Sequence, residues 1–281
     1  MTQIWNEGNI MFFEESKLLR GKPYQINKIQ IRNPSLNDIL ELGELKYNDY
    51  LFFLASTPEQ CKVMLFDNNI DYEELSNYDL FIRLLIQDDN GMSRVSDLGQ
   101  EALNWWLCDT FEFQILFNQE SQMPILIDVN KDIVIDMYLY DQMAMFAKII
   151  NNIPLQNKYN PADKGVKLKL IKEEKKSIER QLKKKTSKKN FIQESMLNDI
   201  VVSLVTSEYL SYTYENIWDI TIYQANESIK KISQRDNYKA NIIGIYTGNV
   251  EAKKVSADLN WMSNIRKIDM TSTNVIDLSK R

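Results

Sequence analysis

The stretch from Tyr209 to Met262 constrains the fold most, because it carries a helix start, a one-sided apolar period and a helix stop in that order. Thr221-Ile222-Tyr223-Gln224 has the form of a capping box. In that motif the Thr hydroxyl accepts from the backbone N–H three residues on, and the Gln side chain reaches back to the N–H of the Thr. The spacing predicts a helix from about Ile222. Ile222, Ala225, Ile229 and Ile232 follow at steps of three, four and three, so they share a face, while Glu227, Lys230, Lys231 and Arg235 point elsewhere. Asp236-Asn237 predict a break. Beyond it Tyr238, Ile242, Ile245 and Tyr246 form a second apolar stripe that ends at Gly248, a residue suited to a helix C-terminus. Two consecutive one-sided helices pack most simply on each other or on a shared core.

The aromatics of this stretch have two roles open to them. Tyr212, Tyr214, Trp218, Tyr223, Tyr238, Tyr246 and Trp261 are candidate partner-binding residues, since Tyr and Trp are favoured at the centres of interfaces. Such side chains are more often the large members of a core, with their polar tips near water.

Upstream, the pattern alternates between helix and short strands. Residues 1 to about 20 read as an irregular arm with apolar anchors at Ile10 to Phe13. Residues 22–31 follow Gly21 and alternate around Ile26, Ile29 and Ile31, which predicts a strand, half of a small hairpin with Leu18-Leu19. Ser35 with Asp38 predicts a helix start, and Gly43 a bend within the helical run to Leu54. Helices are expected after Pro58, from Tyr78 to Gln87 and from Leu98 to Cys108; Trp105-Trp106 read as core. Residues 111–135 change to a period of two, which predicts two or three short strands with a tight turn at Asn130-Lys131-Asp132. Tyr138 to Ile150 and Phe191 to Val205 return to helix. The expected class is therefore mainly α with a small β component (α+β), a helical, bundle-like C-terminal part and short strands near 22–31 and 111–135. Eight glycines and six prolines in 281 residues fit that balance better than a turn-rich all-β fold. The expected division is an α+β domain at 1–155, a basic helical linker at 156–190, a C-terminal helical domain at 191–265 and a flexible tail at 266–281.

The chain contains no histidine. That removes Ser-His-Asp and Cys-His chemistry, histidine-containing metal sites and imidazole bases together. Asp67 to Asp71 imitates the start of a calcium loop, but Tyr72 stands where a Gly is required and Tyr78 where a bidentate Glu is. No phosphate-loop or dinucleotide-binding glycine pattern occurs, and acidic pairs such as Glu73-Glu74 are adjacent rather than convergent. The expectation is a protein that is not an enzyme, with no catalytic, metal-binding or cofactor-binding residue and no cofactor. Cys61 and Cys108, each beside bulky apolar neighbours, are expected as buried free thiols. The first residues are acidic without a basic leader region, and no apolar run approaches a membrane span, so the expected location is the host cytoplasm, without a membrane partner.

Charge is uneven along the chain. The formal net charge is −5, yet residues 166–190 hold eleven Lys or Arg against three Glu. A solvated helical linker explains such a run most simply. Its alternative is a docking segment, with Lys175, Lys176, Arg180, Lys183, Lys184 and Lys185 as candidates, for an acidic partner or for acidic parts of the same chain. Nucleic acid is the weaker partner, because no aromatics interleave with the bases and the rest of the chain is acidic.

The order YxYENIWDITIYQ from Tyr212, then SIKKI, NYKANIIGIYTGNVEAKKV and DLNWM, resembles a family of proteins encoded by tailed bacteriophages and prophages of low-GC Gram-positive bacteria. The likeness extends through the basic segment before residue 190 and to the N-terminal NPSLNDILELGE region. It implies a virion-morphogenesis protein, a tail-assembly chaperone or accessory factor that binds other tail proteins such as the tape-measure protein, or the virion itself as location. A connector or baseplate-associated structural subunit is the alternative, and a nucleic-acid-binding regulator acting through the basic segment a third. The motif transfers no catalytic residue.

Overall fold

The computed structural model describes residues 2–6, 9–89, 92–117, 123–154, 163–187 and 195–249. It opens with an antiparallel hairpin, β1 (Thr2–Asn6) and β2 (Asn9–Phe13), followed by α1 (Glu15–Leu19) and a second hairpin, β3 (Tyr24–Ile26) and β4 (Ile29–Ile31). Four helices come next, α2 (Leu36–Leu42), α3 (Glu44–Ala55), α4 (Lys62–Asp67) and α5 (Asn77–Leu85). A hairpin, β5 (Ile86–Asp89) with β6 (Met92–Val95), leads to α6 (Asp97–Trp106). The antiparallel sheet of β7 (Gln114–Phe117), β8 (Pro124–Asp128) and β9 (Ile133–Ile135) is followed by α7 (Met137–Ile150). The chain closes with α8 (Lys164–Ser187), α9 (Met196–Val205), a 3-10 turn at Ile217–Asp219 and α10 (Ile222–Tyr246). The fold is mainly α with small antiparallel sheets.

Local chemistry sets the boundaries. Ser35 caps α2 with Asp38, Ser76 caps α5 with Asp79, and Thr221 caps α10 with Gln224, each as a reciprocal capping box. Gly43, at φ 88°, separates α2 from α3, and Gly248, at φ 75°, takes the left-handed position that stops α10. Within β9 the pleat puts Ile133 and Ile135 inward and Val134 out.

The main core is aromatic. Tyr47 and Tyr50 of α3, Tyr78 and Phe81 of α5, Trp106 of α6 and Tyr140 and Phe146 of α7 are essentially inaccessible to solvent. The polar tips of Tyr47, Tyr50, Tyr78 and Trp106 bond to neighbouring residues. Trp106 Nε1 donates to the Tyr50 carbonyl at 3.1 Å, and the Tyr47 hydroxyl donates to Asn151 Oδ1 at 2.6 Å. The Tyr78 hydroxyl lies 2.8 Å from the Pro124 carbonyl and 3.0 Å from that of Ile135, tying α5 to β8 and β9. Trp105, half-buried, packs against Tyr47 and Tyr50 with the Arg32 guanidinium 5.0 Å from its ring. Both tryptophans are thus core members, as expected.

The same core continues into the C-terminal elements through Leu197, Ile200, Val201, Leu204, Ile217, Ile222 and Ala225. Backbone bonds join segments far apart in sequence: Leu36 N donates to the Ile220 carbonyl and Ile222 N to that of Pro34, each at 2.9 Å, around a Ser35–Thr221 bridge. Asn226 Nδ2 adds a bond to the Ile150 carbonyl at the end of α7.

Several local expectations are corrected. The stretch 22–31 is itself a complete hairpin, because Asn27 takes φ 50° and lets the chain reverse, while Leu18 and Leu19 lie in α1. The N-terminal arm contains paired strands rather than irregular chain. The helix expected to reach Gln87 ends at Leu85, where Ile86 turns extended and pairs with Val95. α10 runs unbroken through Asp236-Asn237. Cys61 is buried as expected, but Cys108 is exposed, at a left-handed turn position of φ 56° just past α6. Phe191 and Ile192, placed in a helix from the sequence, lie outside the described residues; the helix there begins at Met196.

Candidate protein-docking groove

α9 is positioned by a residue far away in sequence. Glu44, at the start of α3, accepts from the Ser195 hydroxyl, from Met196 N at 3.1 Å and from Leu197 N at 3.3 Å. A carboxylate at a helix N-terminus satisfies orphan N–H groups and opposes the helix dipole. α9 delivers the chain into the segment 207–212, which α10 then grips. Tyr209 lies between two cations one turn apart on α10, with Arg235 Cζ 4.0 Å and Lys239 Nζ 4.6 Å from its ring centroid. Its hydroxyl donates to Asp236 at 3.0 Å, and Lys239 also bonds Glu208 at 2.5 Å. The Lys239 ammonium holds the Glu208 carboxyl below its ordinary range, and Glu208 in turn raises Lys239.

A third wall comes from α1. Gln224 uses Oε1 to accept from Thr221 N and Nε2 to donate to the Leu19 carbonyl, both at 2.7 Å. The residue that caps α10 therefore also fixes the end of α1 beside it. Between these pieces opens a cavity of about 500 Å³ lined by Leu19, Tyr209, Leu210, Tyr212, Ile232 and Arg235, with Glu227 and Lys231 also facing it. Leu19 is half exposed. An open concavity with aliphatic and aromatic walls and mixed charge suits another polypeptide's side chains. At the far end of α10 two large side chains face solvent: Ile243 is 62% exposed and Tyr246 86%.

The aromatics named from the sequence divide among these surroundings. Tyr212 lines the groove, half-buried. Tyr214 is exposed, and Trp218, half-buried, donates from Nε1 to its carbonyl at 2.9 Å. Tyr223 is buried in the core, Tyr238 is half-buried on α10 and Tyr246 is exposed. Trp261 lies outside the described residues. Leu19, Tyr209 and Leu210, which also line the groove, are not among the partner-binding candidates read from the sequence. One signal for Tyr209 was available, since Arg235 and Lys239 stand four apart on one helix face and can flank a single ring.

The basic candidates fall on α8. Lys175 bonds both carboxylate oxygens of Asp67, at 2.6 and 2.8 Å, so part of the basic segment docks on the chain's own α4, at its last residue. Lys176, Arg180 and Lys183 are exposed, and the side chains of Lys184 and Lys185 lie outside the described residues.

Residues 183–266 match the family model described as the YomV second domain. The matched span holds α9, the 3-10 turn and α10, and with them the groove except for Leu19. No curated protein and no solved structure matches the chain. Among the described residues no helix is long and apolar enough to cross a membrane, and no three acidic or thiol side chains come together as a metal site.

Proposed function

We propose that this chain is a phage- or prophage-encoded, non-enzymatic protein of virion morphogenesis, a tail-assembly chaperone or accessory factor that acts by binding other tail proteins. The observation that carries this reading is the coincidence of two independent features in one place. The YomV second-domain match, which points to a prophage protein, covers the groove apart from its α1 wall, and the exposed end of α10. A helical client such as a tape-measure protein presents apolar stripes before it polymerises, and helix-in-groove docking buries such stripes through side chains at intervals of three and four. Leu19, Leu210, Tyr212 and Ile232 supply the apolar floor for that mode of binding, and Lys231 and Arg235 a cationic edge.

Deleting the gene from its phage or prophage tests the reading. The expected result is loss of complete tails in electron micrographs of induced lysates, restored by the gene supplied in trans. Normal tails without the gene contradict it. Mass spectrometry of purified particles separates the two classes of morphogenesis protein, since an assembly factor is absent from finished virions and a connector or baseplate subunit is present in fixed proportion.

A further inference from the structure

α8 meets the rest of the molecule along a seam that is mostly charged. Among its described side chains Ile171 alone is buried, and it completes a small core with Cys61, Leu65, Tyr72 and Leu80 that is separate from the main one. Val166, Leu168 and Ile178 face outward, so this is not a helix held by an apolar stripe. Ion pairs surround the single anchor. Lys167 bonds Glu73 at 2.8 Å and also Asp71, with its ammonium 4.6 Å from the Tyr72 ring centroid. Lys175 grips Asp67, and Lys62 of α4 pairs with Glu174 of α8. Lys175 and Asp67 are each close to half exposed, which leaves their attraction open to screening by salt. Outward-facing Lys169, Lys172, Lys176 and Arg180 follow at steps of three and four, with Glu173 as an acid among them, so the free face is net cationic.

We propose that α8 is an electrostatic clasp: a basic arm that leaves the 59–84 segment as ionic strength rises, opening the small core while the main core stays folded. The distance over which charges act falls from about 10 Å at 0.1 M salt to about 3 Å at 1 M. Segments with few buried apolar contacts are the ones that open below the global unfolding threshold. The released state uncovers Cys61, Leu65, Tyr72 and Leu80 and frees Lys167 and Lys175 together, so a cationic helix and an apolar patch become available in one step.

The chain carries its own reporter. Cys61 is shut in the small core, whereas Cys108 is exposed and belongs to neither the seam nor the small core. Full-length protein is treated with iodoacetamide, an uncharged reagent, and the two cysteine peptides are quantified by mass spectrometry with Cys108 as reference. The ratio of Cys61 to Cys108 labelling rises roughly tenfold between about 0.05 and about 1 M NaCl, with far-UV circular dichroism unchanged. Lys175→Glu brings the high ratio to low salt, and adding Asp67→Lys, which reverses the pair, restores protection. A ratio in the unaltered protein that is flat with salt overturns the clasp. So does a ratio that rises only together with loss of helical signal, or a reversed pair that fails to restore protection.

Discussion

Gln224 shows how much one side chain can organise. Its oxygen closes the capping box of α10 and its nitrogen holds the Leu19 carbonyl, so the start of α10 and one wall of the groove depend on the same amide. Gln224→Ala is expected to cost about 1–2 kcal/mol in urea unfolding, from a lost cap bond and a lost tertiary bond. Gln224→Glu keeps the acceptor and loses the donor, so it falls between the two. Asp128 is a second such residue: buried, it accepts from Glu112 N at 2.8 Å and from Lys131 N at 3.0 Å. The Glu112 N–H, the stronger influence, and that of Lys131 hold its carboxyl below the ordinary 3.8. A depressed carboxylate stabilises the fold above its unfolded pKa and stops doing so as pH falls through the folded one. The penalty of Asp128→Ala, about 1–3 kcal/mol at neutral pH, is therefore constant down to roughly pH 4 and shrinks below it, as denaturant melts at several pH values will show. The cap at Thr221 was legible in the sequence because both partners lie within four residues. For Tyr209 only half was legible: the spacing of Arg235 and Lys239 marks a seat for a ring, but which ring fills it depends on packing across more than twenty positions.

Among elements, α10 was half legible. Its start and its stop at Gly248 follow from local chemistry, but Asp236-Asn237 did not break it. Asp and Asn cost a helix interior only about 0.7 kcal/mol each relative to Ala, and Asp236 accepts from Tyr209 in its helical position. The β5–β6 hairpin was hidden for a different reason: Gln87, Asp88 and Asp89 have weak strand preference, and pairing with β6 overrides it. α8 read correctly as a basic helix, while its seat on Asp67, Asp71 and Glu73 required tertiary structure to see. At the exposed end of α10, Ile243→Lys with Tyr246→Lys should change unfolding free energy by less than about 0.5 kcal/mol, because neither side chain is packed. Thermal melts indistinguishable from the parent check that expectation.

For the whole molecule, the decisive feature is a core that joins segments far apart in sequence, from Leu18 to Ala225. At low ionic strength, tryptophan fluorescence and circular dichroism are expected to report one coincident main unfolding transition. Removing everything from residue 195 onward strips Leu204, Ile217 and Ile222 from that core and should leave a chain that aggregates. The mainly helical class and the strands of 111–135 were legible from periodicity; the shared core was not, because composition near residue 190 shows a change in charge and says nothing of packing. Co-purification from phage-producing cells measures directly whether the groove and the end of α10 take up a tail protein. Tagged protein should retain a tail component in stoichiometric amount, and the folded Leu19→Asp, Ile243→Lys, Tyr246→Lys variant should lose it. Equal retention by both proteins, or no virion component bound to the parent, contradicts the account.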